Sequence, residues 1–341
     1  MLDDGATHPS LLFFRMRPIH LYSSWRVSAL IYLLGLQLAA SSREHAHIEH
    51  AVQRARLRMR ERDALVTNQT IGHASLDSFY GGILAQAPFE CPSDLVKTSS
   101  AEGGKWLCGL SHLGRHRPCV VYSLGSSFDS SFEEAVQARV NAQAPSRAPA
   151  GCETHIYDPT LRRDKHHLVE FKAKLQEQHI GELHEVAFAG GQGVTNVTLT
   201  MMLSGTSRRH PHTFPAQDLH GMLASNGNHC VDILKVDVDG VEDTLLRSTR
   251  WEELCVGMFV FEIHGPLIEA FETQPQPEHG RHGAPGKYTV ARALSRLQRL
   301  ERLGFMHYAS ELVCGRCPGQ LEIGLVNVSW LREMAALEKV K

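Results

Sequence analysis

Short apolar runs alternate with helical segments along most of the chain, and this alternation constrains the fold more than any other feature. The runs with strand-like composition are Cys119–Leu124, Thr154–Tyr157, Leu183–Phe188, Val231–Val238, Val256–Ile263 and Leu321–Val328. The segments predicted to be helical are Phe132–Val140, Leu168–His179 and Thr289–Leu303. Strands that alternate with helices pair in parallel and carry helices on both faces of the sheet. The sequence therefore predicts an α/β fold with a Rossmann-like, doubly wound, mostly parallel sheet.

The first two predicted strands end in residues that suit a bound nucleoside. Gly125 follows the first strand and lets the backbone approach a ligand, while Ser126 supplies a small hydroxyl and an amide. Asp158 follows the second strand, where a carboxylate can accept hydrogen bonds from ribose hydroxyls. For either feature alone, a plain glycine turn or a plain Asp-Pro turn is the alternative. Together with Tyr122 in the first strand, these residues form the candidate cofactor-binding set.

Acidic residues gather after the fourth and fifth predicted strands. Asp237 and Asp239 leave the fourth strand on one face, and Glu242 follows them. The fifth strand ends with His264. Side chains at this rim could remove a proton from a hydroxyl or hold a divalent cation, and the alternative is a salt-bridge network with Lys235. We take the three acids and the histidine as candidate catalytic residues and assign no metal ligand.

The chain begins with a pattern typical of a secretory signal. Val27–Ala40 contains no charge, and Arg15, Arg17 and Arg26 precede it. The run is shorter than the ~20 residues that span a bilayer. This favours a cleaved signal over a signal anchor and places the rest of the chain in the lumen of the secretory pathway. Residues 1–41 are therefore predicted to be a signal or anchor, with a buried helix or an incorrectly assigned start as the alternative.

Residues 42–90 are predicted to form a charged helical stalk or linker. The segment is rich in arginine and poor in large apolar residues, which is typical of a solvated helix. A nucleic-acid-binding stripe is the alternative, but no aromatic residues are interleaved with the arginines. The whole chain has 35 Lys+Arg against 37 Asp+Glu and a formal charge of -2, so no general basic excess favours nucleic acid as a partner.

The eight cysteines are too few for a disulfide scaffold in a chain of 341 residues, but some would pair in an oxidising lumen. Cys91 with Cys108 is the predicted bridge, because both lie in the irregular entry to the domain. Cys314 and Cys317 have CxxC spacing without a second such pair. A local disulfide or two free thiols therefore fits this pair better than a zinc site or a redox site.

Three N-glycosylation sequons agree weakly with a lumenal location. They begin at Asn68, Asn196 and Asn327. Such triplets also arise by chance, and Asn327 lies in a predicted strand. Asn68 is therefore the predicted glycosylation site.

Several motifs occur along the chain in an order that resembles a known family. They are Gly103-Gly104-Lys105-Trp106 with Cys108, Val121-Tyr122-Ser123-Leu124-Gly125, Phe132-Glu133, Cys152-Glu153, Tyr157-Asp158-Pro159-Thr160, Lys235-Val236-Asp237-Val238-Asp239-Gly240 and Glu262-Ile263-His264. The family consists of methyltransferase-domain proteins and includes methyltransferase-like protein twenty-four; FkbM-type methyltransferases are similar more distantly. The resemblance covers Cys91 to Val328 and implies a class I methyltransferase fold with S-adenosylmethionine as cofactor. It also implies cofactor contacts at Gly125, Ser126 and Asp158.

The sequence departs from this family at two places. Related sequences more often carry Glu at the position of Asp239, so a carboxylate is retained there. The loop from Asn141 to Gly151 is long and rich in Ala and Pro. The spacing between the two cofactor motifs is therefore less typical of the family.

These inferences predict an S-adenosylmethionine-dependent methyltransferase domain over residues 91–330, followed by a C-terminal tail at 331–341. The predicted acceptor is a small molecule or a glycan, with a hydroxyl favoured. The chain is predicted to contact the membrane only through its N-terminal segment. One alternative is a non-catalytic binding protein with a methyltransferase fold. Another is a tethered nucleotide-sugar glycosyltransferase that uses Asp237 and Asp239 as a metal-binding DxD motif.

Overall fold

The computed structural model describes most of the chain from residue 43 onward. The described ranges are 43–64, 86–99, 104–115, 117–143, 151–191, 193–202, 209–238, 242–264, 286–312 and 320–337. The predicted signal at Val27–Ala40, the sequon at Asn68 and the pair Cys314 and Cys317 lie outside these ranges. Among the helices within them, none is both long enough and apolar enough to cross a membrane.

Strands and helices alternate through the described chain. The strands are β1 (Leu95–Lys97), β2 (Trp106–Cys108), β3 (Cys119–Leu124), β4 (Cys152–Tyr157), β5 (Glu182–His184), β6 (Ala187–Phe188), β7 (Asn196–Met202), β8 (Arg209–Gln217), β9 (Cys230–Val236), β10 (Cys255–His264), β11 (Phe305–Leu312) and β12 (Gln320–Asn327). The helices are α1 (residues 43–64), α2 (Ser131–Gln143), α3 (Lys165–Glu177), α4 (Leu219–Asn226), α5 (Glu242–Ser248), α6 (Gly286–Arg302) and α7 (Val328–Leu337).

Seven strands form the central sheet, in the order β11-β12-β10-β9-β3-β4-β5. The strands from β10 to β5 are parallel, whereas β12 is antiparallel to both β10 and β11. The chain proceeds outward from β3 to β5 on one side and from β9 to β10 on the other. The boundary between β3 and β9 is therefore the switch point, where open α/β sheets bind ligands. The predicted Rossmann-like, mostly parallel sheet is confirmed.

Several elements are not predicted by the sequence patterns. β7 and β8 form an antiparallel hairpin, and β6 pairs with β8 to complete a three-stranded sheet. Pro211 and Pro215 lie within β8, and proline usually argues against the interior of a strand. His307 and Ser310 interrupt the apolar pattern of β11. Pairing with neighbouring strands therefore decides the conformation of segments whose own composition does not.

Apolar side chains cover both faces of the central sheet. Ile233 and Leu234 are neighbours in β9 and are both 0% exposed, yet they lie in different apolar clusters. Successive side chains of a strand point to opposite faces, so a strand buried on both sides reads as a continuous apolar run. One face packs against α4 and α6, and the other against α1, α2 and α7.

Helix α1 is part of the packed domain, and the prediction of a solvated stalk is wrong for residues 43–64. Four apolar residues recur along the helix at helical spacing and form a stripe: Ile48, Ala51, Val52 and Ala55. They are buried in the apolar cluster that also contains α7. Two of the four are alanines, and arginines surround the stripe, so the buried face is narrow and easily overlooked in the sequence.

The segment predicted as a C-terminal tail also packs on the domain. Leu331, Met334 and Ala335 of α7 are buried in the cluster that contains the α1 stripe. Asn327 caps this helix, because its side-chain oxygen accepts hydrogen bonds from the backbone amides of Ser329 and Trp330.

Disulfides pair all the cysteines that the structure describes. The predicted bridge between Cys91 and Cys108 is confirmed. The other two join register partners at the amino ends of adjacent parallel strands, and they are Cys119–Cys152 between β3 and β4 and Cys230–Cys255 between β9 and β10. Both bridges therefore lie at the amino ends of the strands, opposite to the carboxyl ends, where ligands bind in such sheets.

A buried ion pair fastens α1 to α6. Both nitrogens of the Arg62 guanidinium fork donate to the Glu301 carboxylate at 2.8 Å, and both side chains are buried. The same arginine also contacts Asp63. A bidentate pair in the interior satisfies both charges, but it leaves a costly unpaired charge when one partner is removed.

We expect Arg62→Ala to lower the free energy of unfolding by about 3–5 kcal/mol, because it strands the Glu301 carboxylate in the interior. The double variant Arg62→Met with Glu301→Leu removes both charges and should lose much less. Urea unfolding of the two variants beside the wild-type protein measures the difference. Equal losses in the two variants would contradict the assignment.

His307 in β11 makes the stability of the fold depend on pH. Burial, together with the charge of Arg62, lowers the pKa of His307 to about 4. The unfolded chain therefore binds a proton at higher pH than the folded chain, and stability falls as pH drops from about 6.5 toward 4. Between pH 7 and pH 4 we expect the wild type to lose on the order of 2–3 kcal/mol more than His307→Gln. Urea unfolding of both proteins across this pH range measures the difference. If the free energy of unfolding changed with pH in the same way in the two proteins, the assignment to His307 would be refuted.

Candidate active site

Gly125 joins three strand ends at the switch point. Its backbone has φ +86°, and a Cβ placed there would lie 1.8 Å from the backbone oxygen of Asp237. Gly125 N donates to Tyr157 O at 2.9 Å, and Asp237 N donates to Leu124 O at 2.8 Å. Glycine is required here both for its left-handed conformation and for the close approach of the β9 end.

Asp158 holds the loop after Gly125 in its shape. One carboxylate oxygen accepts from the backbone amides of Ser126 at 3.0 Å and Ser127 at 2.9 Å. The other oxygen accepts from the amide and the hydroxyl of Thr160 at 3.0 and 2.6 Å. Asp158 is 4% exposed. The structure thus brings the predicted residues together, with the carboxylate bonded to the loop itself.

Tyr122 does not join this loop. Its side chain is fully buried in the apolar cluster that packs against α4. The hydroxyl donates to the Asn228 side-chain oxygen at 2.9 Å and accepts from the Asn226 amide at 2.9 Å. These contacts give Tyr122 a place in the core, and its predicted contact with a cofactor gains no support from them.

Lys105 lies at the centre of a buried charge cluster beside the loop. Its ammonium lies 3.3 Å from an Asp237 oxygen and 3.6 Å from a Glu262 oxygen, and it donates to Glu322. The side chain is 1% exposed. Burial lowers the pKa of Lys105, but the charges of Asp237, Glu322 and Glu262 outweigh it, so the net pKa is raised. Lys105 is therefore charged at neutral pH and brings together three carboxylates, one directly after β9, one in β10 and one in β12.

Lys235 connects the charge cluster to the glycine turn. Its ammonium donates to Gly125 O at 2.5 Å and lies 3.9 Å from an Asp237 oxygen. It also lies 5.9 Å from the centre of the Phe132 ring. Glu133, the next residue in α2, is fully buried; burial raises the pKa of its carboxyl, and the charge of Lys235 partly offsets the rise. Two lysines therefore hold Asp237 between the loop and the interior.

The structure describes the other candidate catalytic residues to different extents. Glu242 begins α5 and is 1% exposed, so its carboxylate is in the interior. His264 is the last residue of β10, where its backbone pairs with Gln320, and its side chain is not described. Asp239 lies outside the described residues. Asp237 is the predicted catalytic residue whose side chain is both described and partly exposed, at 26%.

A family model described as a methyltransferase domain matches residues 49–278 of the chain. The chain belongs to this methyltransferase-domain family. The match begins within α1, which agrees with the packing of that helix on the sheet. The family match and the mostly parallel sheet together confirm the class I methyltransferase-like fold that the resemblance implied.

The chain is also similar to individual known proteins. It is 28% identical over 158 residues to "Probable methyltransferase-like protein 24" from Rattus norvegicus, a match that covers 46% of this chain and 36% of the relative. The chain thus spans about a third of that relative's length. A Methanococcus jannaschii fibrillarin pre-rRNA processing protein has 10% identity and a TM-score of 0.34, with 69% of this chain and 82% of that chain covered. A putative rRNA-methylase from Clostridium thermocellum has 9% identity and a TM-score of 0.32, with coverages of 64% and 90%.

Residue patterns alone did not point to the full charge cluster of the methyltransferase domain. Lys105 stands before β2, about 130 residues from Asp237, and belongs to a motif that carries only the family resemblance. Glu322 lies in β12, whose antiparallel position beside β10 brings it opposite Glu262 in register. Gly104 needs its small size, because a Cβ there would lie 2.0 Å from Ser99 O, but only the folded structure shows this contact. No residue spacing in the sequence connects Lys105 with Asp237.

We expect Lys105→Met to destabilise the methyltransferase domain by about 3–5 kcal/mol at pH 8, because three carboxylates lose their shared cation. Repulsion then raises the pKa of these carboxyls in the folded state, so the loss should be smaller at pH 5 than at pH 8. Urea unfolding at the two pH values measures both effects.

Lys97→Met provides the matched control for this experiment. Lys97 pairs with Glu311 at 2.6 Å, but both side chains are partly exposed. Its loss should cost at most about 1 kcal/mol. A Lys105 variant that behaves like the Lys97 variant would show that the cluster contributes little to stability.

Proposed function

We propose that this protein is an S-adenosylmethionine-dependent methyltransferase that acts on a hydroxyl or nitrogen acceptor in the secretory pathway. The observation that carries the proposal is the arrangement at the switch point. There Gly125, Ser126 and Asp158 lie beside Asp237, in a chain that belongs to a methyltransferase-domain family. A non-catalytic binding protein and a nucleotide-sugar glycosyltransferase remain the competing hypotheses.

The residues at the switch point fit an adenosyl cofactor. The glycine turn brings backbone close to the crevice, and Ser126 and Ser127 place small side chains at the start of the loop before α2. We assign the cofactor to this loop, with Asp158 holding the amides of both serines in position. When bound, the sulfonium of S-adenosylmethionine supplies an activated methyl group, so alignment of the acceptor is the main task that remains for the protein.

Asp237 is the residue that we assign to the acceptor. Its side chain is partly exposed, and its charge is compensated by Lys105 and Lys235 at 3.3 and 3.9 Å. A carboxylate fixed in this way can accept a hydrogen bond from an acceptor hydroxyl and orient its oxygen. His264, at the end of β10, remains the proposed group for removal of the acceptor proton near neutral pH.

The proposed compartment rests on the cysteines and on the N-terminal sequence. Disulfides such as Cys119–Cys152 and Cys230–Cys255 are typical of proteins that fold in oxidising compartments. The uncharged run at Val27–Ala40 after basic residues is the pattern that directs a chain there. These features support a lumenal acceptor such as a glycan or another hydroxyl compound.

Isothermal titration of the purified protein with S-adenosylmethionine tests the cofactor proposal. We expect one binding site per chain and at least about tenfold weaker binding for Asp158→Asn, because an amide cannot accept from all the loop donors. Asp218→Asn is the matched control, since Asp218 caps a different helix, α4, by accepting from Gly221 N at 2.7 Å. The control should bind like the wild type.

Three outcomes would contradict the proposal. If the folded protein showed no heat of binding with S-adenosylmethionine, the cofactor assignment would be wrong. Thermal protection by a uridine diphosphate sugar, in the absence of protection by S-adenosylmethionine, would favour the glycosyltransferase instead. Binding without methyl transfer to any glycan or small hydroxyl compound would favour the non-catalytic binding protein.

A further inference from the structure

Two histidines and a glutamate meet at the outer edge of the central sheet, away from the charge cluster. His155 of β4 faces Glu182 of β5 in register, and His184 follows two residues later on the same face. One ligand atom from each of the three residues lies within 4.8 Å of the others. His155 is buried, His184 is half-buried and Glu182 is exposed. We propose that His155, His184 and Glu182 form a Zn²⁺ site.

A neighbouring carboxylate fixes the orientation of His155. Nε2 of His155 lies 2.9 Å from an oxygen of Glu153, two residues earlier on the same face of β4. The same oxygen accepts from the Asn228 side-chain amide at 3.1 Å. A carboxylate accepts but does not donate, so Nε2 of His155 carries the proton and Nδ1 presents its lone pair. A carboxylate behind a histidine is the usual outer contact of a metal ligand.

The lone pair of His155 points at the second histidine. Nδ1 of His155 lies 3.0 Å from Nε2 of His184. Zinc binds imidazole nitrogen at about 2.0–2.1 Å in tetrahedral geometry, which separates two nitrogens by ~3.3 Å. The observed separation is therefore close to that of two zinc ligands. A direct hydrogen bond between the two rings is the competing explanation, and it predicts no metal affinity.

Glu182 and solvent complete the coordination. The Glu182 side chain is exposed, so it can rotate toward a metal that lies between the histidines. A half-open site of two histidines and one carboxylate leaves a fourth position for water. Aromatic packing holds the second histidine in place, because the ring of Tyr157 stacks on His184 with centroids 4.5 Å apart. The ligand set is of the type that zinc prefers over magnesium or calcium.

A bound zinc ion would tie down the edge of the sheet. β5 is the outermost strand and pairs with β4 through three register positions. A metal shared by side chains of both strands adds a cross-strand connection where few backbone bonds exist. This role does not depend on the methyltransferase proposal, and it stands or falls on metal binding alone.

The full-length protein, stripped of metal with a chelator, is titrated with ZnCl2 by calorimetry. We expect one site whose affinity falls about 100-fold or more in His184→Gln, a half-buried position, and about tenfold or more in Glu153→Gln. X-ray absorption at the zinc edge should show two imidazole nitrogens with oxygen ligands. The melting temperature should rise with zinc in the wild type and not in His184→Gln.

A second group on the surface supplies the matched control. His166, His167 and Glu170 of α3 also bring ligand atoms within 4.8 Å of one another, but all three are exposed. The double variant His166→Gln with His167→Gln should bind zinc like the wild type. Equal affinity in the wild type and in a folded His184→Gln variant, or sulfur in the zinc shell, would overturn the proposal. So would loss of binding in the α3 control.

Discussion

The close contact between Gly125 and the backbone of Asp237 determines how β3 and β9 end. No side chain fits at Gly125, so the end of β9 can approach the end of β3. Asp237 N then donates to Leu124 O of β3, and Gly125 N donates to Tyr157 O of β4. The loop that follows then turns sharply through Ser127 and Phe128, both at positive φ. Such conformations cost energy for residues other than glycine, and the three hydrogen bonds that Ser126 and Ser127 donate to the Asp158 carboxylate offset part of that cost.

Charge balance depends on this contact as well. Because the Gly125 carbonyl is held near β9, it accepts a hydrogen bond from Lys235, and Asp237 is placed between two ammonium groups. The remaining carboxylates, Glu262 and Glu322, also lie beside the Lys105 ammonium. The cluster therefore places a cation and three anions where β9, β10 and β12 come together. Separated from one another in that interior, each of these groups would be expensive to bury.

The parts of the fold that depend on local sequence could be predicted, and those that depend on distant partners could not. β3 is predicted at its observed bounds because it is a short apolar run between clear turn signals. The stripe on α1 is hidden, because alanines bury the helix against a surface that only the folded domain provides. The site divides in the same way. Gly125 and Asp158 follow their strands directly, whereas Lys105 and Glu322 reach the site through the sheet order, which residue spacing does not encode.

The amino ends and the carboxyl ends of the strands are stabilised by different means, and this division suits a binding protein or an enzyme. At the amino ends, Cys119–Cys152 and Cys230–Cys255 join β3 to β4 and β9 to β10 covalently. Covalent bonds need no desolvated charge and leave no vacant partner, so they can hold the strands in register without help from the opposite edge. The carboxyl ends can then keep groups that stability alone would not select, such as a buried ammonium with three acids, one of which is the partly exposed Asp237. Covalent bracing at the amino ends of the strands can therefore offset part of the cost of burying charged groups at their carboxyl ends.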